Sequence, residues 1–581
     1  MSRIDSQNFG ENMTNLNRRK VIVGAIGATC LNTVKAVDTK VENTFYESDL
    51  NQSFTIGFTF KESFALNSEN KAISIKASKG QGGLVIQVEF DTYLKKYKSK
   101  PVVAKIAPGS PNQFISTWDG NSLIVYVNKR LALELKTSRR SSRHAKPLMK
   151  EFKSLNYSGL LSGFRSCNHK ISTDEFDNFL EGNVKNQDSQ IIGPCIGQVS
   201  EKEVCLWIRG TAESIYTLEV LHNKKSIWKE TKQASLKNDL TVNWIVKGLQ
   251  ENTEYEYKLA GPSTPKTVFS FKTASLNPKE SSKILFGSCA AMSDIKLYQQ
   301  FSKINPDSIC FMGDTPYIDT GSLDVHRHSH REFLKIDSLS KILSKTPYVS
   351  TWDDHDFGVN NCDGKFSYKN NSLKAFKEYR PQLKHGDGKE GIYTSFRRGP
   401  VEVFMLDCRW FSYLKKSIVK GSQQKTLLGE EQWKWLFESL SNSKAIFKIL
   451  ACGIIWDDKL NREKDDWETY SDERKKLFDF IKSEMIEGVV LLGGDIHVSR
   501  HLDYGKDKVG YPLHQFISSP MHDSVIKSLN TKHESLKWSA LQKNTCLVIE
   551  AGEKTLVAKY LNDEGKVINQ VNVHSDDLKF K

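Results

Sequence analysis

The sequence lacks several patterns that would assign a chemistry at once. Ten cysteines lie between Cys30 and Cys546, but no two are spaced as CxxC, which argues against a zinc ribbon and a dense disulfide scaffold. The motifs GxxxxGK[ST] and GxSxG are absent, so a P-loop and a serine nucleophile elbow have no support. The chain is long enough, at 581 residues, for roughly three to four folding units of globular composition.

The chain is basic, with a formal net charge of +14. Lysine and arginine concentrate in KKYKSK (95–100) and RRSSRHAK (139–146). Such runs favour encounters with anionic partners such as phosphate esters, acidic polymers or membrane surfaces. Solvated lysine faces are the alternative interpretation.

The N-terminal segment predicts export. NRRKVIVGAIGATCLNTVKA contains the pair Arg18-Arg19, a short apolar stretch, and Val34-Lys35-Ala36 as an A-x-A-like cleavage site. We expect residues 1–36 to be a signal peptide that resembles a twin-arginine signal, although Val21 stands where such signals usually carry Phe. The protein would then use the twin-arginine export machinery and be periplasmic or extracellular at the cell surface. The apolar stretch is too short for a stable transmembrane anchor, and a structured N-terminal helix is the alternative.

Residues 42–175 read as a β-sandwich. Runs such as FTIGFTF, GGLVIQVEF and SLIVYVNKRLALEL are short, apolar or alternating, and separated by Gly, Asn and Ser turns. The hairpin WDGNSLIVYVN resembles that of laminin-G or concanavalin-type jelly rolls. That resemblance implies a module that binds glycans or acidic polymers, and a plain spacer is equally compatible with it.

Residues 190–275 predict a second β-sandwich. The pattern VKGLQENTEYEY resembles a fibronectin type III-like domain, with its second tyrosine in a late strand. Cys195 and Cys205 are spaced so that a disulfide between neighbouring strands is one alternative. Removal of the signal peptide would leave nine cysteines, so at least one thiol stays unpaired, and Cys289 is the candidate.

Residues 280–581 alternate apolar strands with amphipathic helices, which predicts a layered α/β domain. Four of these strands end in potential metal ligands. If they belong to one sheet, their carboxyl ends would converge into a site dense in carboxylate, imidazole and thiolate. These endings are Cys289 after KILFGS, Asp314 after SICFMG, Asp353-Asp354-His355-Asp356 after YVSTW, and Asp495 with His497 after VVLLGG.

This donor mixture is typical of a dinuclear hydrolytic metal centre. Ester hydrolysis needs an activated water and positive charge on the phosphoryl oxygens, and two metals roughly 3.5–4 Å apart supply both. Asp314, in a Gly-Asp turn, is the candidate bridging carboxylate. A thiolate with a phenolate would favour a ferric ion at one site, whereas oxygen ligands would favour a harder divalent cation at the other.

Six ordered motifs resemble the PhoD-type alkaline phosphatase/phosphodiesterase family within the metallophosphoesterase fold. The resemblance implies an αββα catalytic domain over 280–581, preceded by the two N-terminal β-sandwich domains. The motifs are GSC (287–289), GDTPY (313–317), WDDHD (352–356), LDCR (406–409), LGEEQWKWL (428–436) and GGDIH (493–497).

The resemblance also implies the site residues. One ion, expected to be Fe(3+), would be surrounded by Cys289, Asp314, Tyr317 and His497. A second ion, Ca(2+) or another divalent ion, would be held by Asp354 and Asp495, with Asn360 or Asn361 nearby. His355 would act as general acid or transition-state stabiliser, and Asp353 and Asp356 would orient its loop.

Departures from the family pattern leave the phosphate contact open. Thr315-Pro316 and Ile318-Asp319 stand where members often carry Asn and Arg. Arg409, Arg327 and Arg331 are the candidates to replace that arginine, and we choose Arg409 for the catalytic set with His355 and Asp314. The run HRHSHR (326–331) would either contact substrate or form an exposed loop.

We therefore expect an exported, metal-dependent phosphoesterase that uses metal-activated water on phosphate mono- or diesters. A phospholipase-D-like diesterase is an alternative within the same fold. A second alternative is a surface protein that binds a glycan or polymer and carries a degenerate phosphoesterase scaffold.

Overall fold

The computed structural model describes residues 191–581, except 322, 414–424 and 462, and shorter segments before residue 191. The predicted signal peptide (1–36) lies outside the described residues. Among the described residues, no helix combines the length and apolar character needed to cross a membrane. The earlier segments cover 54–60, 64–67, 73–80, 83–91, 96–100, 102–104, 112–118, 122–136, 162–167 and 176.

The segments before residue 191 form two antiparallel sheets, which confirms that the N-terminal region is rich in β-structure. The first sheet has the order β10-β1-β7-β8-β9, and the second has the order β2-β3-β4-β5, with β6 paired to β4. The strands are β1 (Phe54–Phe60), β2 (Phe64–Asn67), β3 (Ile73–Gly80), β4 (Gly83–Asp91), β5 (Lys96–Lys98), β6 (Val102–Ala104), β7 (Asn112–Trp118), β8 (Ser122–Val127), β9 (Arg130–Lys136) and β10 (Ser162–Cys167).

Two further sheets follow, with orders β11-β12-β15 and β14-β13-β16-β17, and share one core that contains Trp244 and Tyr257. Their strands are β11 (Ile192–Val199), β12 (Val204–Arg209), β13 (Ile215–His222), β14 (Lys225–Gln233), β15 (Thr241–Val246), β16 (Glu254–Ala260) and β17 (Phe269–Lys272). Cys195 and Cys205 are both free and buried, so the disulfide considered between them is absent. Cys195 lies opposite Trp207 in the β11–β12 register, not opposite Cys205.

The C-terminal half contains two large sheets. One has the order β20-β19-β18-β28-β29-β30, and the other has the order β21-β22-β23-β24-β26-β25-β27. The strands are β18 (Ser282–Gly287), β19 (Ser308–Met312), β20 (Tyr348–Thr351), β21 (Thr394–Arg398), β22 (Val401–Met405), β23 (Phe447–Ala451), β24 (Val489–Gly493), β25 (Ser499–Asp503), β26 (His514–Ile517), β27 (Leu536–Ala540), β28 (Cys546–Ala551), β29 (Thr555–Leu561) and β30 (Val567–His574).

Helices cover these sheets. The α-helices are α1 (Lys296–Ile304), α2 (Leu323–Lys335), α3 (Asp337–Leu343), α4 (Asp354–Phe357), α5 (Lys369–Tyr379), α6 (Gly429–Asn442) and α7 (Ser471–Ser483). Short 3₁₀ turns span Leu236–Asn238, Glu468–Tyr470, Lys527–Leu529 and Ser575–Leu578.

The layering follows from strands that are apolar on both faces. On β18, Ile284 and Phe286 join the core shared with β22–β24, whereas Leu285 packs in the core that includes helices α1–α3. A strand covered on both faces must be apolar throughout, as these are. The predicted layered α/β domain in the C-terminal half is confirmed, and its boundaries stay a prediction.

The sheets of 192–272 contact the C-terminal half through polar side chains. The Trp207 indole donates a hydrogen bond to the Glu378 carbonyl at 2.7 Å, and the Gln198 amide donates to the Ser395 carbonyl at 2.7 Å. Asp239 accepts hydrogen bonds from Arg331 and from the Tyr379 hydroxyl. Directional bonds of this kind hold the two regions in one register.

The HRHSHR run is not an exposed loop. It lies in α2, and its six side chains are buried. Arg327 forms a two-pronged pair with Glu378 at 2.7 Å, and Arg331 pairs with Asp239. Burial lowers the pKa of His326 to about 4 and lowers the pKa of His330 well below its usual range. These histidines are therefore neutral in the folded protein near pH 7.

Buried neutral histidines predict acid-sensitive stability. Because the folded pKa of His330 lies below its unfolded value of about 6.5, the unfolded state binds the proton, and stability falls as pH drops below that value. His330→Phe retains a ring to stack on Tyr379 and is expected to reduce the slope of unfolding free energy against pH by about 1.4 kcal/mol per pH unit between roughly pH 4.5 and 6. Urea titrations over that range measure the slope. An unchanged slope, or the same reduction in a variant of solvent-exposed His574, would contradict the prediction.

Candidate metal centre

The predicted ligands follow the carboxyl ends of strands from both large sheets. Cys289, Asp314 and the Asp353–Asp356 cluster follow the parallel strands β18, β19 and β20, whereas Asp495 and His497 follow β24 of the other sheet. The expectation that all four endings lie on one sheet is wrong. They still converge, because the two sheets pack face to face and these ends lie at the same edge.

Two groups of donor atoms meet at Asp314. The donor atoms of Cys289, Asp314 and His497 lie within 4.8 Å of one another, and so do those of Asp314, Asp354 and His355. The Tyr317 hydroxyl lies 2.9 Å from His497 Nε2. Asp314 is thus shared by both groups, in the place predicted for a bridging carboxylate.

The backbone at these residues is held in an uncommon conformation. Cys289, Asp314, Asp495 and His497 have φ angles of 54°, 52°, 66° and 54°, all in the left-handed region. Non-glycine residues there cost about 1–3 kcal/mol each and persist where surrounding contacts hold them. The Ala290 N–H donates to the Asp314 carbonyl at 2.9 Å, which links two of the ligand turns directly.

Gly313 lets two of these loops approach closely. Its φ is +86°, and a Cβ at this position would lie 2.4 Å from the Asp353 Cβ. No other residue has both this conformational freedom and this small volume. The Gly-Asp turn noticed in the sequence therefore places the Asp314 carboxylate against the loop after β20.

Burial destabilises the ionised form of the shared carboxylate when no cation lies beside it. Asp314 is 1% exposed, and burial raises its pKa to about 7. Its Oδ1 and the Nδ1 of His497 are buried without a hydrogen-bond partner. Burial likewise raises the pKa of the Cys289 thiol and the Tyr317 phenol. A bound metal ion would satisfy these orphaned atoms and favour the thiolate and phenolate forms, so the donor set fits a metal.

His355 is paired with a carboxylate that the sequence reasoning had treated only as a departure from the family pattern. Its Nδ1 bonds to Asp319. Burial alone would lower the pKa of His355, but the carboxylates of Asp314, Asp354 and Asp319 outweigh it and raise the pKa to about 11. With Nδ1 engaged, the imidazolium keeps Nε2–H for the site.

The β20 loop is built around Asp354 and Asp356. Asp354 accepts N–H bonds from His355 at 2.9 Å and Asn361 at 2.6 Å. Asp356 accepts from the Asp353 N–H at 2.5 Å and thereby closes the first turn of α4. Burial alone would raise the pKa of Asp354, but Arg409 and then His355 lower it to about 2. Asn360 and Asn361 are exposed, and here Asn361 contributes its backbone amide.

Arg409 is buried and engaged with carboxylates. Its guanidinium lies 2.5 Å from Asp353, 3.4 Å from Asp465 and 3.9 Å from Asp354. The side chain is 3% exposed. Its predicted catalytic role stays a prediction. The structure places it behind the carboxylates, with Arg327 and Arg331 in the separate cluster around α2.

Lys459 was missed by the sequence reasoning. Its ammonium contacts Asp495 and lies 2.6 Å from Asp465, and the side chain is 1% exposed. Asp495 therefore shares its charge with a lysine, in addition to any ion it would bind. No pattern in the sequence signalled this contact, because Lys459 lies in a charged loop after β23 whereas Asp495 follows β24.

His522 was also missed. It follows β26, and the Ser524 N–H donates to its Nδ1 at 3.0 Å, which leaves the ring proton on Nε2. That Nε2 lies 3.2 Å from the Tyr317 hydroxyl, and the His522 ring packs 4.4 Å from the His497 ring. His522 is therefore placed to donate a hydrogen bond to the oxygen of Tyr317.

Comparison with known proteins agrees with the motifs. The family model described as PhoD-like phosphatase matches residues 284–574, half of the chain. Alkaline phosphatase D of Bacillus subtilis (strain 168) is 26% identical over an alignment of 346 residues, and the match covers 49% of this chain and 58% of that relative. The aligned part thus spans less than two thirds of the relative's length.

Solved structures show the same fold. The structure of PhoD matches with a TM-score of 0.55 at 19% identity, over 67% of this chain and 88% of that one. The purple acid phosphatase from yellow lupin (Lupinus luteus) seeds matches with a TM-score of 0.50 at 10% identity, over 91% of both chains. The ordered motifs, the converging strand ends and the matching family model lead to one conclusion: the chain belongs to the PhoD-like phosphatase family.

Proposed function

We propose that this protein is a metal-dependent phosphoesterase that hydrolyses phosphate mono- or diesters. The observation that carries the proposal is the meeting of two donor groups at the buried carboxylate of Asp314, whose Oδ1 has no hydrogen-bond partner. Membership of a phosphatase family supports the reaction class. The left-handed backbone at four of the predicted ligands supports a site built for an ion more than a degenerate scaffold.

Cys289, Asp314, Tyr317 and His497 would hold one ion. Thiolate, phenolate, carboxylate and imidazole together favour a transition metal, and we retain Fe(3+) as the expected species. The ion would lower the pKa of a water molecule and offset phosphoryl charge. His522 would donate its Nε2–H to the Tyr317 oxygen and so stabilise the phenolate. Asp354 belongs to the second donor group at Asp314 and offers a further carboxylate oxygen.

His355 would protonate the leaving group. The Asp319 carboxylate holds its Nδ1–H and directs the protonated Nε2 into the site. Their side chains are 21% and 23% exposed, so this pair lies at the open face of the centre. An ester approaching from solvent would meet His355 before the buried carboxylates.

We further propose that the protein is exported, on the pattern of residues 17–36. This proposal is independent of the catalytic one. Mass spectrometry of the protein recovered outside the cytoplasm tests it, since cleavage after Ala36 gives a mature chain that begins at Val37. An uncleaved N-terminus would contradict it.

Loss of the central ligands is expected to remove metal and activity together. Cys289→Ala and Asp314→Asn each delete a donor that no neighbouring side chain replaces, so we expect bound metal to fall and hydrolysis of a chromogenic phosphodiester and phosphomonoester to drop by ~100-fold or more. Elemental analysis and steady-state kinetics on the same preparations measure both. Cys205→Ala, at a buried free thiol on β12 of the preceding sheets, is the matched control. Full activity in metal-free wild type would refute the proposal.

Removing the partner of His355 is expected to change the pH profile. The raised pKa of His355 keeps it protonated at neutral and mildly alkaline pH, and Asp319→Asn removes one of the charges that raise it. The alkaline limb of kcat against pH should then move to lower pH, with a loss of ~10–100-fold at alkaline pH, part of what a general acid contributes. The exposed Asp294→Asn serves as a control. A uniform loss at every pH would instead indicate a purely structural role for Asp319.

A further inference from the structure

We propose that the ammonium of Lys459 takes the position of a second metal ion beside Asp495, so that the centre binds a single ion at Cys289, Asp314 and His497. The inference rests on the proposed function, since it concerns the ion content of the same centre. It departs from the second ion that the sequence predicted between Asp354 and Asp495.

Lys459 is positioned as a cation of the site, not as a surface residue. Its Nζ contacts the Asp495 carboxylate and lies 2.6 Å from Asp465 and 3.5 Å from Glu463. Its side chain is 1% exposed, so it is shielded from solvent and substrate. A buried ammonium is retained only where carboxylates compensate it, and Asp495 is one of the two closest.

Arg409 supplies a second fixed charge on the same side. Its guanidinium is 2.5 Å from Asp353 and 3.4 Å from Asp465, and so shares Asp465 with Lys459. The two side chains and three carboxylates thus form one buried network. An ion between Asp354 and Asp495 would lie next to both cations, and their repulsion would weaken it.

The carboxylates that lysine and arginine do not pair with indicate a single ion site. Arg409 and Lys459 pair with Asp353, Asp465 and Asp495, whereas no lysine or arginine of the described residues lies within ion-pair distance of Asp314, whose Oδ1 also lacks a hydrogen-bond partner. The donor group around it combines Cys289 and His497, and the group on its other side includes His355, whose Nδ1 is held by Asp319. The demand for an external cation is therefore centred on Asp314.

The test is the number of ions in the full-length protein. Protein produced with iron and with excess calcium and magnesium is desalted, and its metals are counted by elemental analysis. Calcium chloride is then titrated calorimetrically into wild type, Lys459→Met, Lys459→Arg and Lys464→Met. Lys464 is an exposed lysine of the same loop and provides the matched control.

We expect one ion per chain in wild type. Calcium should bind measurably only to Lys459→Met, whose freed carboxylates should bind it ~10–100-fold more tightly than those of wild type, which is the scale on which groups around metal ligands change affinity. Lys459→Arg and Lys464→Met should behave as wild type. Two ions per wild-type chain, or a folded Lys459→Met variant without new calcium binding, would overturn the inference. If Lys459→Met fails to fold, the ion counts of wild type and Lys459→Arg decide.

Ester hydrolysis by the same preparations separates this inference from the proposed function. One ion without hydrolysis would overturn the function and support the single-ion centre. Two ions with hydrolysis would overturn the single-ion centre and support the function.

Discussion

The centre depends on one buried carboxylate, Asp314, that no lysine or arginine of the described residues pairs with. Asp314 is 1% exposed, has an oxygen without a hydrogen-bond partner, and stands where the ends of two sheets meet. Burying a carboxylate is unfavourable unless its charge and its oxygens are partnered. The left-handed turns at Cys289 and His497 add backbone strain around it. The cost of the buried carboxylate and the backbone strain thus fall at the same place. A bound cation would offset the cost of the carboxylate, which is the larger of the two.

The charged side chains around Asp314 determine how many ions the centre needs and where an ion would bind. Arg409 and Lys459 are covalently attached, so their positive charge is independent of the ions available in the surroundings. Under the single-ion proposal, these two side chains occupy the Asp495 side of the centre, and an exchangeable ion is needed only beside Asp314. The donor set there combines sulfur, nitrogen and oxygen atoms from Cys289, His497 and Asp314, which favours a transition metal over calcium, since calcium prefers oxygen ligands alone.

The residues nearest the strand ends were predictable from the sequence, because a strand that stops in Gly-Asp or Gly-Ser-Cys places its next side chain at a sheet edge. Asp314, Asp354 and His497 were found in that way, and the structure brings them together. The pairing of sheets was not predictable. Periodicity identifies a buried strand without identifying its neighbours, so the assignment of all four endings to one sheet failed.

The residues that the sequence analysis missed were mainly charged side chains whose partners lie far away in the sequence. Lys459 lies in a loop rich in both signs of charge, WDDKLNREKDD, where the usual expectation is solvation, yet its partner Asp495 comes from another strand. Arg331 is similar, because its partner Asp239 belongs to the preceding sandwich. A buried ion pair is formed by two segments that are distant in sequence, and each segment alone has the pattern of a solvent-exposed loop. The functional cations of such a site therefore stay hidden in a single sequence until the fold supplies their counter-charges.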